Sequence, residues 1–112
     1  MKLIRIFLSS IIVLVYIPFS IGAHSNTPVF VQGNIDVLFA DPSDIVFTLK
    51  NDNKKVIGPC GSPFFHIQRT NINFNEFYSL ILTAFAANKV ASLYVSNCSA
   101  DRNILSHGYV NQ

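Results

Sequence analysis

The sequence predicts a small, mostly β domain with a single helix, and three observations predict it. Segments 45–50 and 91–96 alternate apolar with polar residues, a period of two that is typical of half-buried strands. Segment 73–88 instead repeats its apolar residues at helical spacing. Short clusters of Asp, Asn, Ser, Gly and Pro separate these segments and predict turns. The predicted turns and loops are 41–44, 51–54, 58–63 and 99–102.

Three strand regions precede the helix. Segment 29–39 has alternating apolar residues on both sides of Gly33, and a glycine inside a strand indicates a bulge or bend at that position. Segment 45–50 follows the first turn. Segment 64–67 returns to a strand pattern after an irregular stretch of glycines and prolines.

The helix carries signals at both ends. Asn73 suits the N-cap, and Glu76 three residues later completes a capping box. Ile72 and Phe77 occupy the two positions of a hydrophobic staple. Asn88 suits the C-terminal end. The predicted core face consists of Phe77, Leu80, Ile81, Ala84 and Phe85.

The helix is uncharged between Glu76 and Lys89. A second apolar line runs beside the core face. Its members are Tyr78, Leu82 and Phe85. Because a helix that is apolar over most of its circumference is buried on more than one side, we expect a homo-oligomer contact through the 73–88 helix. The alternative is that loops of the same domain cover this second side.

Two further strands, 91–96 and 104–110, follow the helix. The resulting order is β-β-β-α-β-β, which is the order of a five-stranded OB-fold barrel. A bent first strand fits this prediction because a small closed barrel needs sharply coiled strands. The alternative is an α+β sheet with one helix packed on its face.

The first residues have the features of a secretory signal peptide. Lys2 and Arg5 precede an apolar run, and small residues end at Ala23. We therefore predict a signal peptide over 1–23 and a single domain over 24–112, secreted or periplasmic and without a stable membrane anchor after cleavage. The alternative is an uncleaved N-terminal anchor, although the run is short for a membrane span.

The leader also accounts for the net charge. Lys2 and Arg5 supply two of the eight basic residues, and the other six balance the six acidic residues. The predicted mature domain therefore lacks the basic field that holds nucleic acid or anionic lipid. We expect no nucleic-acid partner.

The chain has two cysteines, Cys60 and Cys98. In an exported domain of this size we predict that they form a disulfide, which would stabilise the fold by about 4 kcal/mol in the chain-entropy model. The alternatives are free thiols or an intermolecular bridge. Two cysteines without matching ligands are a weak zinc signal, so we predict no metal site.

Catalytic motifs are absent from the sequence. Asp41 and Asp44 are interpreted as solvated turn or cap residues. Ser62 and His66 are interpreted as a turn serine and a strand histidine, because no orienting acid is apparent beside them. We predict a non-enzymatic protein without a cofactor.

His24 raises one alternative function. Cleavage after Ala23 would leave histidine as the first residue, whose amine and imidazole together chelate copper. Only His66 and His107 could then complete the site. The competing interpretation is an incidental first residue on a polar arm.

Segments 60–67, 75–84 and 90–98 resemble the subtilase cytotoxin B subunit-like proteins. These small exported bacterial proteins are similar to the receptor-binding B subunits of subtilase and pertussis-like toxins. The shared features are an uncharged Tyr/Leu-rich helix that ends in small residues and Lys, an aromatic strand, and a cysteine after it. The resemblance covers roughly 29–110. It implies an OB-fold, assembly as a ring with helices at the centre, and binding of host glycans.

The resemblance also implies positions for a glycan site. The family's sialic-acid-contacting serine, just before a glycine on the first strand, corresponds to Gln32. Its acidic partner near the end of the second strand corresponds to Lys50 or Asn51, so this chain departs from the family at both positions. Since sugar sites use exposed aromatic and amide side chains, we predict that Gln32, Asn34 and Tyr94 bind a glycan. A protein ligand, or a structural or inhibitory role without a glycan site, is the alternative.

Overall fold

The computed structural model describes residues 27–111, which form six strands and one helix. The elements are β1 (Val29–Ala40), β2 (Asp44–Asn51), β3 (Lys54–Lys55), β4 (Phe64–Gln68), α1 (Phe74–Ala87), β5 (Val90–Ser99) and β6 (Arg102–Val110). The predicted leader over 1–23 and His24 lie outside the described residues. In the described part, no helix has the length and apolar character needed to cross a membrane.

Five strands close into a ring. β2 pairs antiparallel with β1 and β4, and β5 pairs antiparallel with β1 and β6. A parallel pairing of β4 with β6 completes the ring, and α1 lies between the third and fourth of its strands in the sequence. This is the topology of an OB-fold barrel. The predicted mostly β barrel with one helix is confirmed, and the added strand β3 only extends β2 into a hairpin.

The first strand has an irregularity in its pairing register, and it lies after the predicted position. β1 pairs with β5 over residues 29–34 and with β2 over residues 34–40, and its register shifts between Ile35 and Val37. The sequence predicts a bulge or bend at Gly33, and the register shift lies two to four residues further along β1. Gly33 instead permits a close approach, since a Cβ there would lie 2.8 Å from the main-chain oxygen of Lys50.

The barrel interior holds the side chains that the period-two patterns assign to one face. Phe47 of β2 stacks on Phe65 of β4, with ring centroids 6.1 Å apart. Phe77, Ile81 and Ala84 of α1 pack against the same core. The remaining buried apolar members are Ile35, Ile45, Leu49, Ile67, Ala91, Leu93, Val95 and Leu105.

The sequence predicts the C-terminal cap of α1 correctly but not the contacts at its N-terminal end. Asn73 makes no side-chain cap bond, and Ile72 is 94% exposed, so the predicted capping box and staple are wrong. The preceding turn uses Asn71 instead, whose Oδ1 accepts a hydrogen bond from the Asn73 main-chain N–H at 2.8 Å. At the other end, Asn88 adopts the left-handed conformation with φ of 53°, as a C-terminal cap should.

The helix leaves part of its apolar surface outside the core. Leu80 and Phe85, predicted as core residues, are 40% and 43% exposed because they lie at the edges of the buried stripe. Tyr78, predicted on the second side, packs partly against the core. Leu82 is 41% exposed. We call Leu80, Leu82 and Phe85 the exposed helix residues.

Candidate functional site

Three aromatic rings form a row across the outer surface of β1, β5 and β6. Val31 of β1 packs toward the core and Leu93 of β5 is buried in it, so the neighbours Phe30 and Tyr94 face outward. Their ring centroids are 5.3 Å apart. Tyr94 also stacks on His107 at 4.6 Å with nearly parallel planes. We call Phe30, Tyr94 and His107 the aromatic row.

The predicted residue Gln32 lies beside this row. It is exposed and pairs with Ser92 of β5, which in turn pairs with Tyr109 of β6. Tyr109 is 44% exposed. The sheet register therefore places predicted residues Gln32 and Tyr94 on one outer face in adjacent rows, together with aromatic neighbours that sequence reasoning missed. The pairing of distant strands was the missing information.

Asn34, the third predicted residue, has a local structural partner. Its Nδ2 donates to the main-chain oxygen and the Oδ1 of Asn88, at 3.2 Å and 3.3 Å. The side chain thus ties β1 to the end of α1. Asn88, which the sequence indicated only as a cap, also lines an open groove of about 530 Å³. We call this the amide groove, and its lining is Gln32, Ala87, Asn88, Lys89, Val90 and Asn111.

The two positions that the resemblance assigns near Gln32 lie close to it in space. Asn51 donates its Nδ2 hydrogen to the main-chain oxygen of Gln32 at 3.3 Å. Lys50 forms an exposed ion pair with Asp36 at 3.4 Å. The end of β2 therefore lies beside Gln32, with the Asn51 amide in contact with it and the Lys50 amine paired with Asp36.

The disulfide predicted between Cys60 and Cys98 is confirmed. It joins the irregular loop at 58–63 to β5, with the two Cα atoms 5.6 Å apart. Sequence reasoning missed a second fastening of the same loop. Asn103 of β6 is fully buried, and its Oδ1 accepts a hydrogen bond from the Cys60 main-chain N–H at 2.9 Å.

The outer side of β2 and β4 carries a buried charged cluster. Asp44 was predicted to be a solvated turn residue, but it is only 3% exposed. That prediction is wrong because β2 begins at Asp44, opposite Gln68 of β4, and the carboxylate lies against His66 and Arg102. Its Oδ2 lies 2.9 Å from His66 Nδ1 and 3.5 Å from the Arg102 guanidinium.

The same cluster bears on the catalytic interpretation. Asp44 is an orienting acid for His66 that the sequence did not reveal. Ser62, however, accepts a hydrogen bond from the Phe64 main-chain N–H at 3.1 Å, and no hydrogen bond joins it to His66 within residues 27–111. The described residues also contain no group of three or more His, Cys, Asp or Glu side chains that could hold a metal ion.

The aromatic row and amide groove on one face, and the Asp44 cluster on another, are the chain's distinctive surface features. No protein-family model matches this chain, and no curated protein sequence matches it significantly. The relation to toxin B subunits therefore stays a prediction carried by the segments named above.

Proposed function

We propose that this chain is an exported, non-enzymatic binding protein, resembling toxin B subunits, that recognises host glycans on the outer face of β1, β5 and β6. The observation that carries the proposal is the aromatic row lying next to the amide groove. Aromatic rings receive the apolar C–H faces of sugars, while amide groups donate to and accept from hydroxyls. A few placed polar groups beside apolar surface are typical of small-ligand sites.

The chemistry of this face favours a hydroxyl-rich ligand without cationic groups. Phe30 and Tyr109 are each 44% exposed although they sit on regular strands. The amide groove adds three carboxamides and one amine, and it has no carboxylate in its lining. Strand-borne side chains are held in place before binding, which lowers the entropy lost on association.

A glycan array with folded, oxidised protein tests the proposal. We expect binding to a restricted set of glycans, and we expect Tyr94→Ala to weaken it about tenfold or more, as loss of a central aromatic anchor does. Phe39→Ala is the matched control, since Phe39 is 43% exposed, lies outside the aromatic row and the amide groove, and should leave glycan binding unchanged. Uniform absence of binding would exclude the glycan function and favour a structural or inhibitory role.

The setting of the proposal is the secreted or periplasmic space. The Cys60–Cys98 disulfide supports it, because such bonds persist in oxidising compartments. The predicted leader supports it as well. The copper-binding alternative depends on His24, and no observation within the described residues favours it.

We also propose that copies of this chain associate through α1. The exposed helix residues are 40–43% accessible, and no charged side chain lies between Glu76 and Lys89. In a symmetric contact the same residues face each other, so an uncharged face avoids like-charge repulsion. A second copy is therefore a partner suited to this surface.

A further inference from the structure

A second cavity, of about 430 Å³, lies on the outer side of β2 and β4. It shares no lining residue with the amide groove. Its volume falls within the range of small-molecule sites. The lining includes Phe39, Asp41, Phe64, His66, Asp101 and Arg102.

Two phenylalanines form the apolar side of this cavity. Phe39 and Phe64 are 43% and 41% exposed, and their rings meet edge to face with centroids 6.3 Å apart. Val46, which is buried between their strands, also lines the cavity. An aromatic or aliphatic group placed here would cover apolar surface that the chain itself leaves open.

A buried imidazole supplies a hydrogen-bond acceptor. His66 is 6% exposed, and its Nδ1 is held by Asp44 at 2.9 Å. In the neutral ring, an Nδ1–H donated to the carboxylate leaves a lone pair on Nε2. Among the described residues, no hydrogen bond engages Nε2. In this neutral tautomer, Nε2 can accept a hydrogen bond from a donor on a ligand.

The charge of the cavity is negative. The Arg102 guanidinium is offset by Asp44 at 3.5 Å and also donates to Ser99. Neither Asp41 nor Asp101 forms an ion pair with a described residue. Arg69 reaches only the main-chain oxygen of Asp41, at 3.5 Å. Two unneutralised carboxylates thus stand at the rim.

The carboxylates of the cavity decide which class of ligand fits it. OB-folds commonly bind oligonucleotides or oligosaccharides on the corresponding strands and loops. Phosphates would meet the carboxylates of Asp41 and Asp101 with like charge, which disfavours an oligonucleotide. A ligand that carries a cationic donor next to an apolar group complements the two carboxylates and the phenylalanine rings of the cavity.

We propose that this cavity binds a small apolar amine in its ammonium form. The apolar part lies against Phe39 and Phe64. The ammonium donates to the carboxylates of Asp41 and Asp101 and to Nε2 of His66. This site is separate from the proposed glycan face and does not depend on it.

An amide-resolved NMR titration with phenethylammonium tests the proposal. We expect saturable shifts at residues around the cavity, including Phe64 and Asp101. Phenethyl alcohol, which has the same ring but no charge, should bind about tenfold more weakly, and added salt should weaken the ammonium but not the alcohol. Tyr94→Ala on the glycan face should leave the titration unchanged.

Two variants test whether the carboxylates of Asp41 and Asp101 bind the ammonium group. Asp41→Asn and Asp101→Asn should each weaken phenethylammonium binding roughly twofold to fivefold, as loss of one partly exposed ion pair does. Asp52→Asn is the control, because Asp52 is an exposed acid in the β2–β3 hairpin. The amide spectrum of each variant reports whether it is folded. Equal binding of the alcohol, unaltered affinity in both variants, or no saturable shift at the cavity would overturn the proposal.

Discussion

Asn103 fastens an irregular loop to the barrel with one buried carboxamide. Its Nδ2 donates to the main-chain oxygens of Ser62 and Phe64, both at 2.8 Å, and its Oδ1 accepts from Cys60. Asparagine suits this place because it combines donors and an acceptor on a short side chain. A Cβ at position 58 would collide with the carboxamide, so Gly58 completes the fit.

The first prediction follows from these bonds. Asn103→Ala should lower the free energy of unfolding by about 2–4 kcal/mol, since it leaves buried main-chain groups without partners. Urea denaturation monitored by circular dichroism measures the change. Asn75→Ala, at an exposed position of α1, is the control and should change stability little. Equal stability of the two variants would contradict this account of Asn103.

At the scale of elements, the two ends of α1 are held by different kinds of contact, local at the C-terminus and long-range at the N-terminus. The C-terminal turn closes through local main-chain bonds, with the Lys89 N–H donating to the Ala84 oxygen at 2.9 Å. The N-terminal turn is held by a distant strand, because Asn71 donates its Nδ2 hydrogen to the main-chain oxygen of Ser106 in β6 at 3.2 Å. That contact orients the turn and leaves Ile72 in solvent.

The second prediction compares the two ends. Asn88→Ala should destabilise the protein by about 1–2 kcal/mol, because alanine disfavours the left-handed conformation and the bond from Asn34 to the Asn88 Oδ1 is lost. Ile72→Ala should change stability by less than about 0.5 kcal/mol. Thermal unfolding of both variants measures this difference. Asn88→Gly separates the causes, since glycine restores the backbone but not the Asn34 side-chain contact. A large loss from Ile72→Ala would show that the staple forms after all.

At the scale of the whole molecule, ring closure forms the two proposed binding surfaces on the outside of one barrel. The β4–β6 pairing is parallel and brings residues near 65 beside residues near 103. It thereby places Arg102 next to Asp44 and forms the cavity between β2, β4 and the loop at 101. The β5–β6 pairing places His107 beside Tyr94 on the other surface.

The third prediction concerns assembly of this molecule. If α1 is the contact between copies, the mass of the oxidised protein in solution should exceed that of one chain. Leu82→Glu should shift it to the monomer, because a symmetric contact would bring the new charges together. Analytical ultracentrifugation gives the mass, and Val37→Glu, at a 48% exposed position of β1, is the control. A monomer at high concentration would count against the contact.

Local pattern was sufficient for the five long strands, the helix and the strand part of the core. Period-two alternation at 45–49 and 91–95 assigns the inward side chains, because strand geometry alone fixes which residues share a face. The disulfide was predictable because two cysteines allow a single intramolecular pairing. The C-terminal cap at Asn88 was predictable because its bonds stay within one turn.

The tertiary structure decided everything that depends on which distant segments meet. The sequence predicts Asp44 as a turn residue, because nothing local indicates that His66 and Arg102 lie beside it. Gln32 and Tyr94 share a face only because of the β1–β5 register. Asn103 gives no signal in the sequence because its partners lie about 40 residues away. The chain by itself therefore determined a mostly β domain with one helix and one disulfide, and ring closure distinguished the barrel from an open sheet. The two proposed surface sites required the tertiary structure, because strand pairing and not local conformation decides which of their residues are neighbours.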